Sequence, residues 1–469
     1  MTQDWTTSGP DLHLALAVAG TRHAALEDAL RAAVRDGRLA AGTRLPSTRA
    51  LAGDLGLARG TVVEAFAQLT AEGYLDARHG AGTWVADLSL AGVQRVPALE
   101  RPERAARFSF SPGLPDLTSF PQAAWLRALR HGLRGLSAAS LGYGDPRGRR
   151  DLREQLAWYL ARARGVRADP ELVVVCAGFR HGLSLVARAL QLEGARTIAM
   201  EDPCAEQHRA VAAAAGLALR PLPVDGRGAR TDLLDGSDAG AVLSPAHQFP
   251  LGVVLHRDRR AAAVSWAMAT GGVIVEDDYD GEFRYDRQPV GALQALAPDR
   301  VAYGGTSSKT LAPGLRLAWI VVPARLLEPI VSLRSAEDVH VSALEQVALS
   351  EMLRSGAYER HVRRMRARYR ARRDRVLEML ARSAPVLVPV GISAGLGMLL
   401  ELPEGGTSAS ELIEEAGRRS IELHSLAAGY AGGRPPRDGI VLGYGALPEH
   451  AFEAGLNALG QLLSDMLSA

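Results

Sequence analysis

The spacing of apolar residues predicts two kinds of structure along the chain. Up to about residue 86, the apolar positions follow helical spacing and end in a short alternating stretch. Leu26, Leu30 and Val34 recur every four residues and predict a helix over 23–37. Residues 87–107 show no period and contain two prolines, which predicts a linker. From about residue 108 onward, short apolar runs alternate with helical segments.

The segment after the first helix has the signals of two short helices joined by a tight turn. Ser47 can cap a helix over 48–55, which Gly56 interrupts. A second helix is expected from about Arg59 to Glu72. Such a pair is typical of a helix-turn-helix. The alternating stretches YLDA and TWVA around RHGAG then predict a β-hairpin, which gives the order of a winged helix.

Two runs in this segment, GxRLPSxRxLA and AEGYLxxRxGxGT, occur together in the GntR-type DNA-binding domain, which residues 1–86 resemble. The resemblance implies that the PSxR run, the start of the second helix and the wing contact double-stranded DNA. The residues at these positions are Arg44, Ser47, Arg49, Arg59, Thr61, Arg78 and His79. Arginine can fork onto a guanine edge or hold a phosphate, and Arg44 and Arg78 are the phosphate candidates. For any one arginine the alternative is a solvated surface position.

Two departures from the GntR pattern concern the second helix. Ala58 stands where the family usually has serine, which removes a helix cap at a cost of about 1 kcal/mol. Gly60 stands where asparagine or aspartate is frequent. The base preference is therefore expected to differ from that of typical members.

The part of the chain after residue 108 predicts an α/β fold. The predicted strands are LVVVCAG, RTIAMED, GAVLSP, GVIVEDD, RVAYGGT and LRLAWIVV, and helices are expected over 180–192, 205–215 and 257–269. Strands alternating with helices form a mostly parallel sheet with helices on both faces, and ligands bind at the carboxyl ends of its strands. Three polar segments follow such ends, namely AGFRHG, EDDYDGEFRY and GGTSSK.

One lysine occurs in the whole chain. Lys309 lies in GGTSSKTLAPGLRL, and the other 53 of the 54 Lys and Arg residues are arginine. A lysine amine can form a Schiff base, which the guanidinium of arginine cannot. The alternative is a chance survivor of the codon bias that favours arginine.

The residues around Lys309 suit pyridoxal 5'-phosphate (PLP). Asp277 follows a strand, and a buried carboxylate keeps a pyridinium nitrogen protonated. The alternative is a turn or helix-capping carboxylate, which is the role expected for Asp278, Asp280 and Glu282. Thr306 and Ser308 offer hydroxyls and Arg316 a guanidinium, and all three groups suit a phosphate. The turn at Gly178, Phe179 and Arg180 opens a helix whose first amides can bind an anion.

Six motifs of the second part occur in order: GYGDPRGRRDLREQLAWYLARARGV, EDP, SPAHQFPLG, EDDYDGEFRY, GTSSKTLAPGLRL and YERHVRRMRARYRARRD. By these motifs, residues 108–469 resemble the fold-type I, aminotransferase-like PLP proteins, and the whole chain resembles a MocR/GabR-type regulator. The resemblance implies a Schiff base at Lys309, pairing of Asp277 with the ring nitrogen and a hydrogen bond from Tyr279 to the phenolic oxygen. The other cofactor contacts that it implies are Thr306, Ser308, Arg316, Gly178, Phe179, Arg180, His247 and, from a partner subunit, Tyr143.

The substrate side of the pocket departs from the aminotransferases. The segment EDPCAEQHR has Cys204 and Ala205 where the family has a tyrosine, so no aromatic ring is expected to stack on the cofactor. Related enzymes bind the substrate carboxylate with an arginine near the last strand, but DGIVLGYGAL has none. Arg434 and Arg437 precede that strand as weak substitutes.

Composition and charge add few constraints. A net charge of +2 indicates no strongly charged partner surface, and the longest apolar runs are too short to span a membrane. Two cysteines and no secretory signal favour a reducing, cytoplasmic setting. No metal site is predicted. Nine arginines over 360–375 favour a solvated helix that connects two domains, with a DNA-facing patch as the alternative.

These observations predict four segments: a winged helix-turn-helix at 1–86, a linker at 87–107, a large PLP-binding domain at 108–384 and a small α+β domain at 385–469. The preferred function is a homodimeric transcription regulator that binds an operator and senses PLP, an amino acid or an amine. The alternative is a working aminotransferase with a DNA-binding head.

Overall fold

The computed structural model describes residues 21–78, 82–87, 106–285, 290–337 and 340–467. The chain divides into two compact units, Met1–Glu103 and Arg104–Ala469, each with its own hydrophobic core. His79 and most of the predicted linker at 87–107 lie outside the described residues. None of the helices in the described ranges is long and apolar enough to cross a lipid bilayer.

Three helices and a hairpin form the N-terminal unit, which confirms the predicted winged-helix order. The elements are α1 (Arg22–Arg35), α2 (Thr48–Leu55), α3 (Arg59–Ala71), β1 (Leu75–Arg78) and β2 (Gly82–Val85). Ser47 caps α2 because its hydroxyl accepts the backbone N–H of Ala50 at 3.2 Å. Gly56 ends α2 with a φ of +61°, a left-handed conformation that glycine adopts without strain.

One face of each helix builds the core of this unit. The buried residues include Leu26, Leu30, Leu51, Val62, Phe66, Leu69, Leu75 and Val85. The hairpin strands pair antiparallel, with Leu75 opposite Val85 and Arg78 opposite Gly82. Burial of these apolar side chains leaves most other side chains of the first turns of α3 and of the hairpin at least partly exposed to solvent.

The second unit contains fourteen strands and ten α-helices among the described residues. Its strands are β3 (Phe108–Ser109), β4 (Val173–Cys176), β5 (Thr197–Asp202), β6 (Ala218–Asp225), β7 (Gly228–Ala229), β8 (Gly240–Leu243), β9 (Val273–Asp278), β10 (Val301–Thr306), β11 (Ala318–Val321), β12 (Val388–Val390), β13 (Gly397–Glu401), β14 (Ile421–Glu422), β15 (His424–Ser425) and β16 (Gly439–Gly443). Its helices are α4 (Gln122–Arg134), α5 (Arg150–Arg164), α6 (Phe179–Leu192), α7 (Glu206–Ala214), α8 (Arg257–Thr270), α9 (Ala324–Glu337), α10 (Ala343–Arg354), α11 (Ala357–Ser383), α12 (Ala409–Arg418) and α13 (Glu449–Leu467).

An eight-stranded sheet organises the larger part of this unit, in the order β4-β11-β10-β9-β8-β5-β6-β7. The neighbours from β10 to β6 pair parallel, whereas β11 is antiparallel to β4 and β10, and β7 to β6. Along β9, Val273 and Val275 pack in one hydrophobic cluster and Ile274 in another. Successive side chains of a strand point to opposite faces, so both faces are covered, and the mostly parallel sheet is confirmed.

A four-stranded antiparallel sheet, β12-β13-β16-β15, lies in the C-terminal part with α12 and α13. The core around it includes Leu400, Leu412, Leu442 and Leu459. β3 pairs parallel with β14, so Phe108 also packs in this core although it precedes the large sheet in sequence.

The arginine-rich helix α11 is anchored by part of its arginines. Arg372 is 3% exposed and donates to Asp116 at 3.0 Å and to Glu449 at 2.8 Å. Arg375 donates to Glu453, and Arg366 to the carbonyl oxygen of Glu282. These bonds link α11 to α13 and to segments near the large sheet, as a connecting helix requires. The arginine run is therefore only partly a solvated face.

Candidate functional site

The residues predicted to contact DNA lie mostly on the exposed side of the N-terminal unit. Arg44, Ser47, Arg49, Arg59 and Arg78 are exposed, and Thr61 is half-buried. The Ser47 hydroxyl caps α2, which leaves its hydrogen free to donate. The structure therefore leaves these side chains accessible, while His79 lies outside the described residues.

Trp84 of β2 holds two of these arginines together. The guanidinium of Arg44 lies 5.6 Å and that of Arg78 lies 5.2 Å from the centre of the Trp84 ring. Cation–π contacts of this kind restrain long side chains without neutralising their charge. Trp84 therefore orients Arg78 of the hairpin and Arg44 of the segment before α2, as two neighbouring phosphate contacts would require.

The first turn of α3 shows the consequence of the missing serine. Ala58 makes no side-chain cap for this helix, as the sequence predicted. A Cβ added at Gly60 would meet no atom within 4 Å, so the glycine leaves open space on the surface.

The second unit contains a cavity of about 560 Å³ at the carboxyl ends of its parallel strands. The three predicted polar segments meet there, and they bring together Gly178, Phe179, Arg180, Asp277, Tyr279, Thr306, Ser308, Lys309 and Arg316. The prediction that ligands bind at the strand ends placed these residues correctly, although they are far apart in sequence.

Asp277, the last residue but one of β9, lines this cavity and is 5% exposed. Its Oδ1 is buried and has no hydrogen-bond partner among the described residues. Burial raises the pKa of Asp277 well above its usual range, opposed by the nearby charge of Lys309. An unsatisfied buried carboxylate is costly, so this oxygen is suited to a donor supplied by a ligand.

Lys309 enters the cavity from the loop after β10. Burial lowers the pKa of its amine, while Asp280 and Asp277 act in the opposite direction. Gly113, at φ +71°, lies so close that a Cβ there would be 3.1 Å from Lys309 Nζ. The glycine keeps the amine accessible, and the lowered pKa favours the neutral, nucleophilic form.

An anion-binding arrangement occupies one end of the cavity. Gly178 precedes α6 at φ +119°, and a Cβ there would lie 2.8 Å from Arg316 Nη2. The first amides of α6 have no partner within the helix and attract negative charge. Thr306 Oγ1 donates to Ser308 Oγ at 2.8 Å, which keeps the two hydroxyls together. Arg180 is exposed at this end of the cavity.

Tyr279 contacts a histidine–aspartate pair behind the cavity. Its hydroxyl lies 3.2 Å from His247 Nδ1, which lies 2.8 Å from Asp280 Oδ2. The His247 and Tyr279 rings stack with centroids 6.0 Å apart. His247 therefore supports Tyr279 and does not line the main cavity itself.

The expected turn role was wrong for Asp278, which lies in β9, whereas Asp280 and Glu282 lie in the bend and turn that follow this strand. Asp278 is 5% exposed and accepts two hydrogen bonds from Arg164, at 2.6 and 3.0 Å, and one from Tyr303 at 2.6 Å. Burial raises the pKa of Glu282 to about 7. Asp278 is therefore held in a buried ion pair at the end of the central strand β9, whereas Glu282 is half-buried and accepts a hydrogen bond from Tyr159 at 3.3 Å.

Another part of the cavity lining includes apolar side chains beside His424 and Ser425. Val441 of β16 lines it together with Phe249, Pro250 and Leu426. Arg434 and Arg437 do not line the cavity, and Arg437 pairs with Glu401 at 3.1 Å. The two weak arginine candidates are therefore not placed to bind a ligand in this cavity.

Tyr143 lies outside the cavity of its own chain. Its side chain is 84% exposed, and its ring lies 6.4 Å from that of His340. Its predicted role in a partner subunit's site stays a prediction.

Sequence reasoning missed two residues of the EDPCAEQHR segment. His208 lines the cavity with its ring 5.1 Å from that of Phe179 and its Nδ1 3.8 Å from Asp277 Oδ2. Burial and the charges of Arg180 and Lys309 lower its pKa to about 4, so the ring is neutral. The segment therefore does bring one aromatic ring to the cavity, a helical turn after Ala205, while the expectation that no ring of this segment stacks on the cofactor stays a prediction. Helical spacing from α7 could have indicated it.

Arg209 is the second missed residue. Its Nη1 donates to the carbonyl oxygens of Gly429 at 2.5 Å and Cys204 at 3.4 Å, and its Nη2 to that of Ala428 at 3.2 Å. The guanidinium thus joins the start of α7 to the 428–429 segment and is engaged with backbone groups.

Comparison with known proteins assigns both units. Residues 23–85 match the bacterial regulatory proteins of the gntR family, and residues 113–417 match the aminotransferase class I and II family. Among solved structures, LysN from Thermus thermophilus, an α-aminoadipate aminotransferase complexed with N-(5'-phosphopyridoxyl)-L-leucine, superimposes with a TM-score of 0.67 at 25% identity. The superposition covers 77% of this chain and 93% of LysN.

Relatives that share both units are regulators. A probable rhizopine catabolism regulatory protein, MocR of Rhizobium meliloti, is 34% identical over 93% of this chain and 92% of its own. The pyridoxine biosynthesis transcriptional regulator PdxR of Corynebacterium glutamicum is 32% identical over 94% of this chain and 95% of its own. The chain therefore belongs to the MocR-type transcription regulators, which join a GntR-type winged helix-turn-helix to an aminotransferase class I and II domain.

Proposed function

We propose that this regulator holds PLP as a Schiff base on Lys309 and responds to PLP, an amino acid or an amine bound in the same cavity. The observation that carries this proposal is Asp277 Oδ1, which is buried at the wall of the cavity without a hydrogen-bond partner among the described residues. The same cavity contains the one lysine of the sequence. The LysN structure, which contains a phosphopyridoxyl group, supports the same cofactor class.

The residues present fit this cofactor group by group. Asp277 would hold a proton at the ring nitrogen, and Tyr279 would donate to the phenolic oxygen. Thr306, Ser308 and Arg316 would hold the phosphate, with the amides that follow Gly178. PLP, when bound, supplies an aldehyde that condenses with a primary amine. The neutral His208 ring lies beside Asp277, where it can pack against the cofactor ring without competing for that carboxylate's charge.

The regulator is proposed to act as a cytoplasmic homodimer on double-stranded operator DNA. Arg49, Arg59 and Thr61 are proposed to read bases, while Arg44 and Arg78 hold phosphates. The exposed Tyr143 supports the proposal that each subunit completes its partner's cavity. Ligand binding would shift the population of DNA-binding conformations, because a ligand acts through its different affinities for two states.

A second candidate function is transamination, favoured by the lowered pKa of the Lys309 amine, which suits proton transfer. Transamination also requires a group that binds the carboxylate of an amino acid. Related enzymes use an arginine near the last strand, but the residue of that strand that lines this cavity is Val441. Multiple turnovers with an amino acid and a keto acid would establish the enzyme, and a single turnover would not.

Asp277→Asn tests the cofactor proposal. Loss of the charged partner of the ring nitrogen is expected to weaken PLP binding by about tenfold to a hundredfold, because hydrogen bonds to charged groups contribute about 1.5–3 kcal/mol. Equilibrium titration of the PLP-free protein, followed by its visible absorption, gives the affinity.

Asp238→Asn is the matched control, since Asp238 is 2% exposed, pairs with Arg220 and does not line the cavity. Its PLP affinity is expected to equal that of the wild type. Equal PLP affinity in Asp277→Asn and the wild type would refute the role of Asp277.

A further inference from the structure

The exposed face of α3 contains an apolar side chain that the assigned DNA contacts do not explain. Val63 is 44% exposed, more than any other large apolar side chain among the described residues of the N-terminal unit. Its neighbours Val62, Phe66 and Leu69 are buried in the core. Val63 therefore projects from the side of α3 that faces away from the core of this unit.

The surroundings of Val63 leave it open toward the start of the helix. A helical side chain leans toward the N-terminus, over the residues three and four positions earlier. For Val63 these are Gly60, which has no side chain, and Arg59, which is exposed. A Cβ at Gly60 would meet nothing within 4 Å. The first two turns of α3 thus present an accessible apolar side chain beside an exposed cation.

The last turn of α3 differs. Gln68 Nε2 donates to Glu72 Oε1 at 2.9 Å, and Glu72 accepts from Arg31 at 2.9 Å. These polar groups tie the end of α3 to α1, so the groups free to contact a ligand lie in the first half. In helix-turn-helix proteins, the N-terminal residues of the second helix contact base edges in the major groove.

The major groove offers hydrogen-bond donors and acceptors and one apolar group, the C5-methyl group of thymine. A valine has no polar atom, so it gains nothing from the donors and acceptors. We propose that Val63 is a specificity-determining residue that packs against a thymine methyl group in each half of the operator. This inference rests on DNA recognition by α3 and is independent of the cofactor proposal.

Replacing thymine by deoxyuridine removes the methyl group and leaves the base pair intact. The probe is the tightest duplex recovered when full-length protein is selected against random DNA, and each thymine is replaced in turn. The wild type is expected to lose affinity about threefold to fivefold at one thymine per half-site, as expected for one methyl-sized apolar contact. Val63→Ala should bind the thymine and uracil duplexes equally.

Val388→Ala is the matched control, because Val388 is a 57% exposed valine in the other unit. It should keep the thymine preference of the wild type. Wild-type affinity that is unchanged at every replaced thymine would overturn the proposal, as would a preference that persists in Val63→Ala. Either result would leave sequence-specific DNA binding itself intact, since the selected duplex establishes that separately.

Discussion

Lys309→Ala is expected to abolish covalent attachment of PLP completely. Lys309 is the only lysine of the chain, so no other side chain offers a primary amine. Reduction of the PLP-loaded protein with borohydride fixes a Schiff base as a stable secondary amine. Mass spectrometry of the wild type should then show one phosphopyridoxyl group on the peptide that contains Lys309, and the variant should show none. The visible absorption band of the PLP-loaded wild type should be absent from Lys309→Ala.

Lys309→Arg is the informative control for this experiment. Arginine keeps a cation in the cavity but cannot form the Schiff base, because its guanidinium stays protonated. It should therefore behave like Lys309→Ala in both measurements. A phosphopyridoxyl group that remains in either variant, or that is absent from the wild type, would contradict the role of Lys309.

Arg49→Ala combined with Arg59→Ala is expected to weaken operator binding by roughly 30-fold to 20,000-fold, since each specific arginine contact contributes about 1–3 kcal/mol. Both side chains are exposed, so the fold should be retained. Because both arginines are assigned to bases and not to phosphates, the salt dependence of binding should change little. Fluorescence anisotropy with the selected duplex at several salt concentrations measures both effects.

Arg22→Ala combined with Arg38→Ala removes two exposed arginines from the same unit, outside the predicted contacts. This control should change affinity only slightly, through overall charge. Equal losses in the two double variants would mean that Arg49 and Arg59 act as general charge and are not specific contacts.

The sequence was sufficient for the large features of the fold because these depend on local patterns. The bounds of α2 and α3 follow from Ser47, Gly56 and Arg59, and the structure reproduces them closely. The buried strands of the large sheet are short apolar runs, which can be recognised directly in the sequence. The three polar segments were predicted to meet because parallel strands present their carboxyl ends at one edge of the sheet.

The parts that the sequence did not reveal depend on long-range contacts. The Arg164–Asp278 pair joins α5 to β9 across 114 residues, and no local pattern connects them. His208 enters the cavity because α7 turns it beside Asp277, whereas the motif directed attention to Cys204 and Ala205. In both cases the sequence showed the residue type but not the residue that it contacts.

The most direct test of the account is the effect of PLP on operator affinity. The affinity of the PLP-free wild type and of Lys309→Ala for the selected duplex is measured with and without added PLP. Coupling between two sites is typically worth 5-fold to 150-fold, so PLP is predicted to change the affinity of the wild type by about fivefold or more and to leave that of Lys309→Ala unchanged. Affinities that are the same for both proteins in the presence and absence of PLP would contradict the claim that the cavity regulates the DNA-binding unit.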